Sequence, residues 1–250
     1  MCTIAVINQK GGVGKTTTCV NLAHAIAHEG YRVLAIDLDP QGHLTVALGG
    51  DAAAPGVDRV LLEDAAMAPV GREVRPNIML VGTGPRLARV EHAKHGDPNR
   101  AKLLQRALAG VSKDYDYIII DCPPSSGLLA VNALLAADEV LIPVVGDYLT
   151  VQGLGRFLKM LKRLEEAFDR RIRAWFTFTR FHHDRRLALE VRRRVMERFP
   201  ARVLEPPIRE SETLAECPTQ GKSIFEYRES SEGAEDYRLL ARNFLAAVTP

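Results

Sequence analysis

One stretch near the amino terminus, TIAVINQKGGVGKTTTCVNLAHAIAHEG (residues 3–30), limits the possible folds more than any other part of the chain. A short apolar run leads into a loop holding Gly11, Gly12 and Gly14. The loop opens directly into a helical pattern that Gly30 closes at its C′ position. The glycines permit positive φ and close backbone approach, so several N–H groups can turn into one concavity. The helix starting near Lys15 adds the positive end of its dipole at the same spot. Such a loop suits phosphate. Lys15 can reach the β- and γ-phosphates of a nucleotide, and the Thr16 hydroxyl is placed for Mg²⁺. The candidate nucleotide-binding run is Gly11, Gly12, Val13, Gly14, Lys15, Thr16 and Thr17.

The loop departs from the usual pattern, G-x-x-x-x-G-K-[ST]. Its first glycine should fall at position 9, which is Gln9, and a second lysine, Lys10, follows. One lysine already serves the terminal phosphates. Lys10 is then either a solvated surface charge or a group that serves a nucleotide held by a second copy. In the latter case two copies meet face to face, and Lys10 crosses to the partner's phosphates as an arginine finger does in trans.

The rest of the chain repeats the alternation. RVLAIDLD, NIMLVG, DYIIID, EVLIPVV and RAWFTFT read as buried strands. Helical patterns lie between them, at 101–108, 150–168 and 185–199 among others. Continuous apolar strands separated by helices imply an α/β fold, a doubly wound and mostly parallel sheet covered on both faces. Right-handed crossovers then place ligand chemistry at the carboxyl ends of the strands. Residues 49–76, rich in Ala, Gly and Pro, read as a loop with one short helix, and residues 1–250 as one domain.

Three aspartates end strands on the loop's edge of the sheet: Asp37 and Asp39 in AIDLDPQG, and Asp121 in YIIIDCPPS. A carboxylate ending the IIID strand is the expected Mg²⁺-holding group, usually through water. Asp37 and Asp39 share a face of an extended strand, and only one of them is expected at the γ-phosphate. No covalent nucleophile is evident. Cys122 beside Asp121 should not be activated and reads as packing. The four cysteines lie far apart without a C-x-x-C pair, which suits reduced core thiols in a cytoplasm. His182–Asp184 (HHD) has no third ligand at useful spacing and reads as surface. No apolar run reaches the ~18 residues that a membrane span needs. Net charge is only +2, yet residues 170–202 hold 11 arginines against Asp184, Glu190 and Glu197, which points either to a polyanion partner or to a solvated helix face.

The loop KGGVGKTT resembles the deviant Walker A signature of the ParA/MinD group of ATPases. The adjoining NLAHAIAHEGYRVLAIDLDPQGHLTVALG, and later YDYIIIDCPPSSGLLAVNALLAADEVLIPV and GKSIFEYRESSEGAEDYRLLA, are similar to its ParA/Soj branch. The resemblance covers nearly the whole chain. It implies ATP and Mg²⁺ as cofactors, slow and partner-stimulated ATP hydrolysis, and an ATP-sandwich homodimer in which Lys10 contacts nucleotide in trans. It assigns Lys10, Lys15 and Asp39 to catalysis, with Asp39 positioning the attacking water, and Thr16, Asp39 and Asp121 to the metal. It places Pro207, Ile208 and Arg209 on the adenine side.

The same resemblance implies partition of plasmid or chromosome, or positioning of another cargo. The expected partners are nonspecific DNA and a cargo-bound activator, ParB-like or another adaptor. The location would be cytoplasmic and nucleoid-associated. Two arginines that the family uses near DNA are Glu210 and Thr213 here. Compensating candidates are Arg186, Arg192, Arg193, Lys222 and Arg228, with Arg185 and Arg194 beside them. In DRRLALEVRRRVMERF, helical spacing sends Leu187, Val191 and Val195 to the core and the arginines to water. No helix-turn-helix precedes the loop, so operator binding is not expected. Two alternatives share the fold. A MinD-like membrane-surface ATPase ends in a basic amphipathic helix, whereas this tail has only Arg238 and Arg242 and reads as a packed final helix. A metabolic ligase or reductase component would need a substrate or cluster site that no motif supplies.

Overall fold

The computed structural model describes residues 1–91, 98–111 and 113–248. Eight strands form one sheet: β1 (Cys2–Val6), β2 (Val33–Asp37), β3 (Gly71–Arg75), β4 (Ile78–Val81), β5 (Tyr117–Asp121), β6 (Glu139–Val144), β7 (Arg173–Phe178) and β8 (Val203–Leu204). Their order is β3-β4-β2-β5-β1-β6-β7-β8, and every pairing is parallel except β3 with β4.

The central strands are buried on both faces, which is why they read as unbroken apolar runs. Successive residues serve opposite layers. Ala5, Leu34, Ile36, Ile118 and Ile120 join one core with the helices Leu128–Ala136, Tyr148–Phe168 and Arg186–Arg198. Ile4, Val6, Val33, Ala35 and Ile119 join the other, with the first helix, Lys15–His28, and the final helix, Glu232–Val248. Each fully buried isoleucine contributes roughly 1.5–3 kcal/mol over its exposed state. The first and final helices lock to each other through Thr18 and Tyr237, whose hydroxyls lie 3.2 Å apart.

Two strands depart from the sequence reading. Residues 71–75 read as loop, yet they form the antiparallel edge strand β3. Side chains pin it. Arg75 donates to the carbonyls of Leu48 (3.1 Å) and Gly221 (2.8 Å) and pairs with Glu226, and Arg72 donates to Gly49 O. The two-residue β8 on the opposite edge is too short to show a pattern. The expected short helix within 49–76 is Val57–Glu63, and Gly30 follows the first helix at φ 90°.

Register sets the chemistry. Asp121 pairs with Val6 at the end of β1 and with Asp37 at the end of β2. The carboxylates therefore stand beside the point where β1 enters the glycine loop.

Candidate nucleotide site

Gly12 (φ 72°) and Gly14 (φ 79°) adopt the left-handed conformation that the loop requires, and Gly14 is the N-cap of the first helix. No side chain caps this helix and its first turn has no acid, which leaves its amino-terminal N–H groups to an anion. The loop is fastened from below. Thr179 Oγ1 donates to Val13 O at 2.8 Å, and Asn8 Nδ2 donates to Pro143 O at 2.8 Å. Above the loop lies a cleft of about 590 Å³, lined among others by Gly12, Gly14, Lys15, Thr16, Thr17 and Asp39, and closed on its far side by Ile208, Leu214 and Tyr237.

The two lysines are held differently. Lys15 is buried, with Nζ 3.4 Å from Lys10 O. Lys10 is exposed, lies outside the residues lining the cleft, and pairs with Asp147 in the loop after β6. Within one chain, then, Lys15 belongs to the cleft and Lys10 does not.

The carboxylates also divide. Asp37 accepts from Thr45 N (2.7 Å), Thr45 Oγ1 (2.6 Å) and Asp39 N (3.2 Å), so its oxygens are used in building the loop after β2. Asp39 lines the cleft, with Oδ1 accepting from Gln41 N at 3.0 Å. Asp121 accepts from Thr16 Oγ1 at 2.6 Å through Oδ2, while its buried Oδ1 has no hydrogen-bond partner among the described residues. Burial, and then the neighbouring Asp37 charge, push the Asp121 carboxyl well above the ordinary range, against the opposing pull of Thr16 and Lys15. Burial raises Asp37 as well, against the hydrogen bonds from Thr45. An orphaned carboxylate oxygen beside a hydroxyl, in a site that disfavours uncompensated negative charge, fits a hard divalent cation. Thr16 and Asp121 would hold Mg²⁺ there, with Asp39 nearby in the cleft.

On the base side, Ile208 and Arg209 reach the cleft, but Pro207 lines a neighbouring hollow with His183 and Leu239. The reason is local. Residues 208–210 run extended along Phe181, with Phe181 N donating to Ile208 O, so Pro207 and Arg209 fall on the side opposite Ile208, and the long Arg209 side chain lines both the hollow and the cleft. Arg209 is tied to Asp236 (2.7 Å) and Glu232 (2.9 Å) of the final helix, and these acids hold its guanidinium charged.

The basic candidates do not form one patch. Arg186 and Arg192–Arg194 sit on a helix covering one face of the sheet. Lys222 and Arg228 flank the turn Ile224–Tyr227 on the other. Arg192 pairs with Glu205, Arg193 with Glu197 and Arg194 with Glu190. Arg186, Lys222 and Arg228 are exposed and carry no ion pair among the described residues. The helix is also rotated from the expected face. Ala188, Val191 and Val195 are buried, while Leu187 is 44% exposed, because the 3.6-residue repeat is phased on Ala188. His182 pairs with Glu210 at 2.9 Å, and His183 packs edge-on against Phe181.

The cysteines lie in or beside the two cores as free thiols. Burial raises all four, Cys2 to about 12 and Cys217 to about 11, so none is an activated nucleophile. A larger hollow of about 1070 Å³ opens at the amino ends of β6 and β7, but its rim is balanced by pairs such as Arg173–Glu139 and Lys162–Glu166. At the glycine loop, by contrast, buried Asp121 Oδ1 has neither a hydrogen-bond donor nor a paired cation among the described residues.

These features define a phosphate-loop nucleoside triphosphatase on a doubly wound sheet, of the kind that carries a second loop lysine. Comparison with known proteins narrows the class. The family described as "AAA domain" matches residues 1–174. The sporulation initiation inhibitor protein Soj of Bacillus subtilis is 38% identical, over 97% of this chain and 98% of its own length. The chromosome partitioning protein ParA of Myxococcus xanthus is 36% identical, over 99% and 89%. Among solved structures, cobyrinic acid a,c-diamide synthase from Mycobacterium smegmatis, with bound ADP and magnesium, superposes with a TM-score of 0.84 at 33% identity, covering 98% of this chain and 94% of that one. The chain belongs to the ParA/Soj family of ATPases.

Proposed function

We propose that this chain is a cytoplasmic, ATP-driven partition or positioning ATPase whose nucleotide-bound dimer holds nonspecific DNA. A cargo-bound partner, ParB-like or another adaptor, would release the dimer by stimulating slow hydrolysis. The observation that carries this reading is the split between the two loop lysines. Lys15 is buried in its own cleft, whereas Asp147 holds Lys10 outside it, where Lys10 is available to a facing copy.

The chain's residues have distinct roles. Backbone amides of Gly11–Thr17 and the Lys15 ammonium cradle the phosphates. Lys10 of the facing copy neutralises charge that develops in hydrolysis. Asp39 orients the attacking water in line, since phosphoryl transfer depends on geometry and charge more than on a reactive side chain. Thr16 and Asp121 would hold magnesium, with Asp39 nearby, and the ion would supply charge neutralisation at the terminal phosphates.

DNA contact rests on Arg186, Lys222 and Arg228 more than on the paired arginines. The membrane-surface reading is not favoured. The final helix buries Tyr237, Leu240 and Phe244, Arg242 pairs with Glu29 at 2.9 Å, and among the described residues no helix is long and apolar enough to cross a membrane. The relatives in the comparisons favour partition over the ligase chemistry that the Mycobacterium smegmatis protein's name denotes.

The test is binding to an arbitrary DNA duplex with ATP, with ADP and without nucleotide, at two salt concentrations. Asp39→Ala is expected to trap the DNA-bound dimer and Lys10→Ala to fail to form it. Affinity that ignores both nucleotide and salt would overturn the DNA reading.

A further inference from the structure

Arg180 lies one residue beyond the strand segment RAWFTFT, on the carboxyl edge of the sheet where ligands bind. Its backbone is left-handed (φ 49°), an uncommon and costly conformation for a side-chain-bearing residue, of a kind that clusters at functional sites. The turn is fastened on both sides. Before it, Thr179 Oγ1 holds Val13 O of the glycine loop; after it, Phe181 N holds Ile208 O of the cleft's far wall. The side chain spans the same two walls. Arg180 Nε and Nη2 donate to Glu210 Oε1 at 3.2 and 2.9 Å, and Nη1 lies 3.5 Å from Gly12 O. His182 Nε2 lies 2.9 Å from the other carboxylate oxygen, Oε2. Both Arg180 and Glu210 line the nucleotide cleft.

A purely structural role explains this poorly. Arg180 is 55% exposed and Glu210 39%, and an ion pair that exposed adds little stability to offset an unfavourable backbone conformation. A guanidinium presents five N–H donors in a rigid fork. Glu210 and Gly12 engage three, and the others have no acceptor among the described residues. The fork lines the same cleft as Lys15, whose own ammonium is buried. Planar, preorganised donors of this kind match phosphate oxygens better than an ammonium does.

We propose that Arg180 is a phosphate-contacting residue of the nucleotide site, and that Glu210 is the positioning residue that holds its guanidinium over the glycine loop. This rests on the nucleotide reading above and adds a ligand to it. It also gives Glu210 a role, since this acid organises a cation of the chain's own cleft. Arg180 acts in cis, so it contributes in a single copy, before any facing Lys10 arrives.

The experiment is displacement of a fluorescent ATP analogue by ATP, by tripolyphosphate and by adenosine, in the absence of DNA. Wild type is compared with Arg180→Ala, Arg180→Lys and Glu210→Gln. For Arg180→Ala, the ATP and tripolyphosphate constants should weaken about tenfold, the loss of one charge-assisted contact, with adenosine unchanged. Arg180→Lys should recover part of the loss, and Glu210→Gln should fall between wild type and Arg180→Ala. Unchanged ATP and tripolyphosphate constants in Arg180→Ala overturn the proposal, even if DNA binding falls. An equal loss for adenosine also overturns it, because Arg180 would then only support the cleft wall. If wild type fails to bind the analogue, the nucleotide reading falls and this inference with it. If wild type binds and Arg180→Ala matches it, only the inference falls.

Discussion

The cleft at the glycine loop and the arginine-rich helix Arg186–Arg198 are both dense in charge, and they treat it in opposite ways. Beside the glycine loop, Asp37 and Asp121 end adjacent strands in register, Asp39 lines the cleft, and one buried Asp121 oxygen has no donor among the described residues. On the helix, three consecutive arginines each meet an acid of the same chain, at Glu205, Glu197 and Glu190. Charge left unbalanced in a buried place is a site waiting for a ligand, whereas charge balanced on the surface is mostly solubility. Counting residues could not separate the two. The 11 arginines of residues 170–202 look like the stronger signal, yet those in ion pairs offer a polyanion less than their number implies.

Three measurements sharpen or break this contrast. Removing the buried cation should have the largest effect. Lys15→Ala should lower the turnover number for ATP hydrolysis at least about 100-fold, measured as phosphate release at saturating DNA. A loss below about threefold would show that the cradle does not depend on its internal balance. Freeing the paired arginines should have a smaller effect of opposite sign. Glu190→Gln with Glu197→Gln releases Arg194 and Arg193. With ATP present, duplex affinity should rise several-fold and the log–log salt slope should steepen by about two. An unchanged slope would mean that the cis pairs restrain nothing.

The smallest effect tests whether burial alone sets protonation. His24 is buried, with Nδ1 2.6 Å from Ser223 Oγ; burial first, and then the nearby His28, lower it from 6.5 to about 4. The unfolded chain then binds the extra proton first, so this group's stability contribution is complete above pH 6.5 and is lost as pH falls toward 4. Asp37 and Asp121, raised by the same burial, act in the opposite direction, so the readout is a difference. Melting temperatures of wild type and His24→Asn between about pH 7.5 and 4.5 should converge as pH falls. Parallel curves would remove His24 from the account.

Legibility in the sequence followed burial. The parallel strands other than the two-residue β8 were readable because both of their faces meet a helix layer, and the glycine loop because its geometry demands its residue types. β3, GREVR, was not readable because polar contacts from Arg72 and Arg75 hold it in place of an apolar stripe. Leu187 misled because helical spacing defines a periodicity, while the phase is set by which residue, here Ala188, meets the core. Spacing alone did not separate Asp37 from Asp39, and the family resemblance singled out Asp39; the chain does not reveal that Thr45 engages Asp37. Arg180 carried a signal of its own, a cation at the carboxyl end of a strand in such a sheet, but the dense arginine run after it hid that signal.

The strand order also has a consequence in time. β1 is synthesised first and lies at the centre of the sheet, between β5 and β6. Thr3 N bonds to Asp138, 135 residues later, and the wall of the cleft is completed by Tyr237 in the last helix. At ~5–20 residues per second, on the order of ten seconds of translation separate the glycine loop from its second neighbour strand. A nascent chain therefore exposes its glycine loop well before the strand and the helix that complete the cleft around it.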